Sequence, residues 1–400
     1  MSIKQTQFSA SPSVIGYLYQ CRYALLSALS RLRTGDEFLL HLETLDDVVF
    51  ETAGSPLEIL QTKHHLARTA DLTDASADLW KTLRIWCEST TTNAIPSGTT
   101  FYLVTTSRAP DGSAASYLKI ASRNASTALQ RLEATAQTST NKENRAAYQA
   151  FLSLQKRQRE DLISSVYIVD YSPSIVDLDV RLGEEIHWAV ESDFRTSFLE
   201  RLEGWWFRRS IQHLVNRSST PILSQEIEAQ MGDLREQFKQ DALPIDEDIF
   251  DLEIDDASAY QNRSFVHQLS LIGISTKRIL FAIRDYFRAY EQRSRWVRED
   301  LLLVGELDRY EKRLVEEWER VFERMREELG DDAAEEAKQK TARELYKWVE
   351  DVVIPIRQRC AEPFVTRGSY HILSDGLRVG WHPDFMSRLQ HLLERRKAVS

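Results

Sequence analysis

The chain has 400 residues, of which 42% are hydrophobic and 28% charged, and its formal net charge is −10. These values are typical of a globular protein with two or three domains, and they exclude a protein that coats nucleic acid through overall positive charge. No apolar run approaches the roughly 18 residues of a membrane helix, and the start shows no apolar signal-peptide core, so we expect no membrane contact. The three cysteines are far apart and fit neither a disulfide framework nor a CxxC metal site, so we expect a reduced, cytoplasmic protein.

The first part of the chain alternates helix signals with strand signals. Apolar residues at helical spacing predict a first helix over 12–32, and three short strand signals follow within 37–63. The remaining predicted elements are a helix over 72–88, a strand over 99–105, a basic helix over 114–137, a helix over 148–161 and a strand over 166–169. Strands that alternate with helices make residues 1–170 an α/β domain.

The stretch 43–63 predicts a cluster of polar side chains on a β-hairpin. Alternate residues of a strand share one face, so Gln61 and Lys63 point the same way, and a Gly-Ser-Pro turn lets the preceding strand bring Asp47 close to both. Asp46 is the alternative acidic residue. We favour Asp47 because Val48 and Phe50 are expected to face the core, which puts Asp47 on the opposite face with Val49 and Glu51.

A carboxylate, an amide oxygen and an ammonium group in one small space suit phosphodiester cleavage. The two oxygens can hold a hard cation such as Mg²⁺, which polarises the phosphate and acidifies a bound water, while the lysine offsets the developing negative charge. An ordinary hairpin with an exposed Asp and Lys is the structural alternative. We nevertheless predict a site with Asp47 and Gln61 as metal ligands and Lys63 as catalytic lysine and DNA contact, because a lone inward lysine is costly unless it is paired.

A locally basic stretch follows the fourth strand signal. Residues 108–131 include four basic residues and only one acidic residue, although the overall charge of the chain is negative. We predict that Arg108, Lys119 and Arg123 contact DNA phosphates. The adjacent histidines His64 and His65 would point to opposite faces of a strand, so we expect a structural or DNA-backbone role for them rather than a shared metal.

Residues 171–400 predict a mostly α-helical region. Strand signals nearly vanish after about residue 172, and apolar residues step by three or four over 307–329, which predicts a long amphipathic helix. The acidic segment 241–256 predicts a connection. The chain contains no GxxxxGK loop, so we expect no ATPase activity from it.

A helix followed by a three-stranded meander with Asp47 and Gln61-x-Lys63 resembles the PD-(D/E)XK, restriction-endonuclease-like nuclease fold. The phrases G-Y-L-Y-Q, L-E-T-L-D-D-V-V-F-E and L-Q-T-K-H-H, with a Trp-bearing helix after them, resemble the double-stranded DNA endonuclease domain of bacterial anti-phage effectors, first familiar from CBASS. This resemblance implies that Glu43 and Asp47 are the acidic residues, Gln61 the third ligand and Lys63 the catalytic lysine. Gln replaces the usual acid, which favours a single metal ion.

The helical half carries the phrases G-W-W-F, D-Y-F-R-A-Y-E-Q-R-S-R-W, E-L-x-x-Y-E-x-R-L-x-E-E-W and V-G-W-H-P-D-F. They resemble the C-terminal region of nuclease subunits from ABC-three-component, or Lamassu-type, defence systems. The resemblance implies an SMC-like ABC ATPase and a small third subunit as partners.

We therefore expect a Mg²⁺-dependent DNA endonuclease effector that is inactive in complex with the ATPase. Release and homo-oligomerisation, with a tetramer as one expected form, would activate it. Two alternatives are an inactive nuclease-fold adaptor that binds DNA or partner proteins, and an RNA-directed nuclease.

Overall fold

The computed structural model describes residues 11–42, 47–52, 57–64, 71–92, 94–215, 220–252, 254, 257–330 and 332–397. It divides the chain into two compact units, Met1–Leu234 and Arg235–Ser400. The first unit is α/β with a mixed sheet and the second is helical, which agrees with the predicted order of the two fold classes.

The first unit extends well beyond the predicted boundary at residue 170. The helices that follow residue 170 pack on the first helix, and a late two-residue strand joins the sheet, so this chain segment belongs to the α/β unit. Its elements are α1 Ser11–Thr34, β1 Leu39–Leu42, β2 Asp47–Glu51, β3 Glu58–Lys63, α2 Ala77–Thr91, β4 Thr100–Thr105, α3 Ala125–Thr138, α4 Arg145–Ser153, α5 Lys156–Ser165, β5 Val166–Val169, α6 Leu178–Glu185, α7 Arg195–Val215, β6 Ile222–Leu223 and α8 Ser224–Gln237.

The sheet has the strand order β5-β4-β3-β2-β1-β6. Strands β1, β2 and β3 form the predicted antiparallel meander, and β6 pairs antiparallel with β1. Strand β4 runs parallel to both β3 and β5, with helices in the connections, as parallel pairing requires. The carboxyl ends of β3, β4 and β5 therefore meet at one edge of the sheet.

Helices α2 to α5 cover one face of the sheet. Val49, Ile59 and Phe101 on this face belong to a buried cluster that also contains Trp80 and Trp86 of α2. The two tryptophans are completely buried, so they serve as core residues between α2 and the sheet. Asp47, Gln61 and Lys63 share this face with Val49 and Ile59, because alternate residues of a strand point the same way.

Helix α1 covers the other face of the sheet. The Arg31 guanidinium lies 3.9 Å from the ring centroid of Phe50 in β2, and the Tyr19 ring packs 4.7 Å from the His64 ring directly after β3. The alternation of faces along β2 and β3 follows the prediction.

Several predicted helix boundaries were wrong, and local hydrogen bonds explain the shifts. Helix α2 begins at Ala77 rather than near 72, because the Asp74 carboxylate accepts the Ala114 N–H at 2.6 Å and also pairs with Arg131. The predicted helix over 114–137 is a short 3₁₀ turn followed by α3, which Asn124 caps. The predicted helix over 148–161 is two helices, α4 and α5.

The second unit is built from helices packed on each other. Its helices are α9 Ser264–Leu271, α10 Thr276–Arg298, α11 Glu306–Leu329, α12 Glu335–Asp351, α13 Pro363–Asp375 and α14 Phe385–Lys397. Helix α11 confirms the amphipathic helix predicted over 307–329, and it ends at Gly330, which has a positive φ of 70°. Within the described part of the chain, we find no helix with the length and apolar character needed to cross a bilayer.

Candidate functional site

The hairpin of β2 and β3 brings three predicted site residues onto one face of the sheet. Asp47 is the direct register partner of Gln61, and such opposed residues have Cβ atoms about 4.5–5.5 Å apart. Lys63 is two residues further along β3, level with Thr105 of β4. Diagonal neighbours of this kind are about 7–8 Å apart, within reach of a lysine side chain.

Gln61 has the most unusual environment of the three residues. Its side chain is completely buried, and neither Oε1 nor Nε2 has a hydrogen-bond partner among the residues that the structure describes. Ile59 precedes it on the same face, and Leu103 is its register partner in β4, so an apolar core lies beside it. Buried amides are normally hydrogen-bonded. An orphaned amide opposite a carboxylate therefore fits a group that contacts a ligand such as a metal ion.

Asp47 and Lys63 are both half-buried at the rim of this core. A half-buried carboxylate beside a buried amide offers two oxygen donors, which matches the preference of Mg²⁺ for oxygen ligands. Glu43, the further acidic residue implied by the family resemblance, lies outside the described residues. The alternative acid Asp46 lies outside them too.

His64 has a structural role at the end of β3. Its Nε2 accepts the backbone N–H of Ile175 at 3.2 Å, and its ring packs against Tyr19. Burial raises the pKa of the Tyr19 phenol, so this hydroxyl stays neutral at physiological pH. These contacts support a structural role for His64, which is one of the two roles predicted from the sequence. His65 lies outside the described residues.

Two of the predicted DNA-contacting residues lie at the same edge of the sheet as Lys63. Arg108 follows the carboxyl end of β4 and is exposed, with Asp111 at 4.0 Å. The Lys119 Nζ lies 2.6 Å from Asp170, which directly follows β5, so its charge is compensated within the fold. Sequence analysis missed this pair, although the position of Asp170 after a strand was an available signal.

The structure does not bring Arg123 together with the other site residues. Its guanidinium donates to the Val166 carbonyl at 2.6 Å and stacks 3.7 Å from the ring centroid of Tyr167. Val166 is the first residue of β5, whereas Lys63 is the last residue of the parallel strand β3. Arg123 thus tethers the amino end of β5, and this position corrects the expectation of a single basic surface.

A second group of potential metal ligands lies in the helical unit. Glu335, His382 and Asp384 place their ligand atoms within 4.8 Å of one another. Both carboxylates already pair with Arg388, and Asp384 also pairs with Lys338. His382 Nδ1 accepts the Asp384 N–H at 3.0 Å, which leaves the proton of the neutral ring on Nε2. We therefore interpret this group as an ion-pair network that holds α12 and α14 together.

The C-terminal segment matches one known protein family. Residues 265–389 match the family described as C-terminal domain 7 of the ABC-three component (ABC-3C) systems. The match lies within the second unit. It confirms the resemblance of the helical half at the level of ABC-three-component systems. No curated protein matches the chain.

The chain is also similar to solved structures of two bacterial receptors. One is the Acinetobacter baumannii Cap4 SAVED/CARF-domain containing receptor with the cyclic trinucleotide 2'3'3'-cAAA, with 14% identity, a TM-score of 0.34, and coverage of 59% of this chain and 46% of that chain. The other is the Moraxella osloensis Cap4 SAVED/CARF-domain containing receptor, with 15% identity, a TM-score of 0.36, and coverage of 68% and 60%. The chain thus spans about half the length of these receptors. The scores are too low to assign a fold or an activity.

Proposed function

We propose that this chain is a Mg²⁺-dependent DNA endonuclease of the PD-(D/E)XK type and the effector of an anti-phage ABC-three-component system. The observation that carries the proposal is the completely buried amide of Gln61, which has no hydrogen-bond partner in the part of the chain that the structure describes and lies directly opposite Asp47, on the same face as Lys63. The match of residues 265–389 to a domain of ABC-three-component systems supports the proposed setting.

Each side chain has a distinct proposed role. The Asp47 carboxylate and Gln61 Oε1 would hold the metal, with Glu43 as a further acidic residue. When bound, Mg²⁺ supplies polarisation of the phosphodiester and a more acidic water. The Lys63 ammonium orients that water and offsets the negative charge that develops on the phosphate. Because Gln61 is neutral, the protein contributes little negative charge, which favours one metal ion completed by oxygens of the DNA.

The system that we propose is of the Lamassu type. An SMC-like ABC ATPase subunit and a small third subunit would hold the nuclease inactive, and release would let copies of the chain assemble. Two sites of a homo-oligomer could then face opposite strands of a duplex. Analytical ultracentrifugation tests this regulation: the free chain should sediment as more than a monomer, and a fully active monomer would exclude activation by assembly.

An adaptor that has lost activity is the second candidate function. The set of Asp47, Gln61 and Lys63 favours the enzyme, because an adaptor gains nothing from burying an amide without a partner. An RNA-directed nuclease uses the same residues, since none of them reads the 2′-hydroxyl. Parallel assays on duplex DNA and on RNA separate these substrates.

The decisive experiment is plasmid cleavage by the purified chain with Mg²⁺ and with EDTA. Lys63→Ala and Asp47→Ala should each lower cleavage by at least about 100-fold, because the first removes the cation that stabilises the reacting phosphate and the second removes a metal ligand. Lys156→Ala is the matched control, since Lys156 is 80% exposed on α5 and should be fully active when replaced. Cleavage retained by Lys63→Ala, or unaffected by EDTA, would contradict the proposal.

A further inference from the structure

The exposed face of α10 near its amino end combines positive charge with apolar side chains. Leu280 and Phe281 are each 43% exposed, although both are large hydrophobic residues. Lys277 Nζ lies 5.9 Å and Arg284 Cζ 5.2 Å from the ring centroid of Phe281, so two cations flank one ring. We call Lys277, Leu280, Phe281 and Arg284 the α10 patch.

The positive charge of the α10 patch is not compensated within the described residues. Neither Lys277 nor Arg284 forms an ion pair there. Two acids of this region pair with other arginines: Asp285 binds the Arg367 guanidinium at 2.7 Å, and Glu350 is held by Arg278 of α10. In a protein with a net charge of −10, this surplus of positive charge is a local feature of one surface.

The next arginine along the helix shows the same crowding of cations. Arg288 donates to the Phe250 carbonyl, and burial together with the charge of Arg284 lowers its pKa. A binding partner that brings negative charge to Arg284 would relieve this repulsion.

A cavity of about 210 Å³ opens beside the α10 patch, between α10, α12 and α13. Phe281 and Arg284 line it together with Tyr346 and His371. His371 is 2% exposed, and its Nδ1 has no hydrogen-bond partner in the described part of the chain. Burial lowers the pKa of His371 to about 3, so the ring is neutral and offers an uncharged hydrogen-bonding group to a ligand.

The walls of this cavity are held rigidly. Helix α13 crosses α10 at Gly368, where an added Cβ would lie 2.1 Å from the Asp285 carbonyl oxygen. Such close contact between two helix backbones fixes their separation. A preformed site loses less entropy on binding than a flexible one.

We infer that the α10 patch and its cavity form a docking site for an acidic polypeptide segment of a partner protein. Carboxylates of the segment pair with Lys277 and Arg284, and an aromatic side chain such as tyrosine packs on Phe281 and enters the cavity, where its hydroxyl reaches His371. Asp285 and Glu350 line the cavity, so an uncharged ring enters it, while the carboxylates of the segment stay outside beside Lys277 and Arg284. The inference goes beyond the proposed nuclease function and does not depend on it.

The test measures binding of a fluorescent random copolymer of glutamate and tyrosine to the full-length chain by anisotropy. Arg284→Glu and Phe281→Ser should each weaken binding at least tenfold. Two matched controls should bind within twofold of the parent: Arg324→Glu, at an exposed α11 arginine without an ion pair among the described residues, and Val297→Ser, at a 54% exposed position of the same helix α10. Polyglutamate should bind less tightly than the copolymer because it lacks the ring.

Three outcomes would overturn the inference. The first is that the parent does not bind the copolymer, and the second is that the control variants lose binding as much as Arg284→Glu. The third is that duplex DNA binds more tightly than the copolymer and is lost in Arg284→Glu, which would make the surface a nucleic-acid site. Repeating the assay with Lys63→Ala separates docking from cleavage, since this variant should bind the copolymer like the parent even if the nuclease proposal fails. Melting temperatures confirm that each variant is folded.

Discussion

Gln61 shows how a single side chain can link stability to function. A buried polar group without a hydrogen-bond partner costs about 1–3 kcal/mol, so an apolar residue would suit this position better if packing alone decided. The amide instead lies beside the core residues Ile59 and Leu103, opposite Asp47. Stability therefore favours an apolar residue at position 61, whereas the proposed catalysis requires the amide.

This conflict predicts the outcome of Gln61→Met, a replacement of similar shape. We expect the free energy of unfolding to rise by about 1 kcal/mol, because the unsatisfied amide is removed, while DNA cleavage is lost. Urea denaturation and plasmid cleavage measure the two effects.

The matched control is Gln268→Met in the helical unit. Gln268 is equally buried, but its amide bonds to the carbonyls of Ser374 and Val379 and to the N–H of Trp381. We expect this variant to lose about 2 kcal/mol or more, since three backbone groups lose their partner. If Gln61→Met were destabilised to the same degree, the role of Gln61 would be structural.

Arg108 and Arg123 give contrasting predictions for DNA binding. Arg108→Glu should weaken binding and reduce the slope of log affinity against log salt by about 1, because one phosphate contact is lost. Arg123→Glu should leave the slope unchanged and lower the melting temperature, since Arg123 holds the Val166 carbonyl at 2.6 Å. Salt titrations by anisotropy distinguish the two, and equal slopes for both variants would contradict this assignment.

The packing of α10 on α13 depends on one small residue. Gly368→Ala should cost at least about 2 kcal/mol, because the new Cβ meets backbone atoms of α10 that cannot move independently. Gly204→Ala in α7 is the control: nothing lies within 4 Å of its added Cβ, and alanine in a helix interior is favoured over glycine by about 1 kcal/mol. Urea denaturation should therefore give opposite signs for the two changes.

Two of the sequence segments that carry the family resemblance of the helical half contain residues that connect its helices. In V-G-W-H-P-D-F, the Gly380 carbonyl accepts the Trp318 Nε1–H of α11 at 2.9 Å, and Trp381 is completely buried. In E-L-x-x-Y-E-x-R-L, Glu306 pairs with Arg357, and Tyr310 donates to a carbonyl that follows α12. These segments therefore contain residues that hold the helices of the second unit together.

Strands and their faces were predictable, whereas several helix boundaries were not. The period of two in β2 and β3 places Asp47, Gln61 and Lys63 on one face as soon as a hairpin is assumed. The start of α2 depends on Asp74 and on its bond to Ala114, 40 residues away. Likewise, the pairing of Lys119 with a distant acid, and the orphaned state of Gln61, are tertiary properties that no local pattern encodes.

The extent of the α/β unit predicts how the protein tolerates truncation. A fragment of residues 1–234 should be soluble and unfold cooperatively, whereas 1–170 should aggregate, because Arg22 of α1 loses Asp179 and Glu203 and the edge of β1 is uncovered. Size-exclusion chromatography and thermal unfolding compare the fragments. A stable, monomeric 1–170 would support the shorter domain that the sequence predicts.

The predicted boundary near residue 170 followed the loss of strand signals. Strand β6 has only two residues, and it precedes a helix directly, so the sequence gives it no recognisable alternation. Its pairing with Leu39 and Leu40 is visible only in three dimensions. The order of an α/β half and a helical half was nevertheless correct.

Strand β6, which covers the edge of β1, comes about 180 residues after it in the chain. This separation has a consequence for synthesis on the ribosome. Strand β6 pairs with Leu39 and Leu40, and the next edge group, the Leu42 N–H, donates to His213 Nε2 at 3.2 Å. At 5–20 residues per second, these partners emerge roughly 10–40 s after β1. During that interval the nascent meander presents unpaired backbone groups to neighbouring chains on the same messenger. Slow translation beyond residue 170 would therefore increase the demand for chaperones, and codon choice in that segment should affect the yield of folded protein.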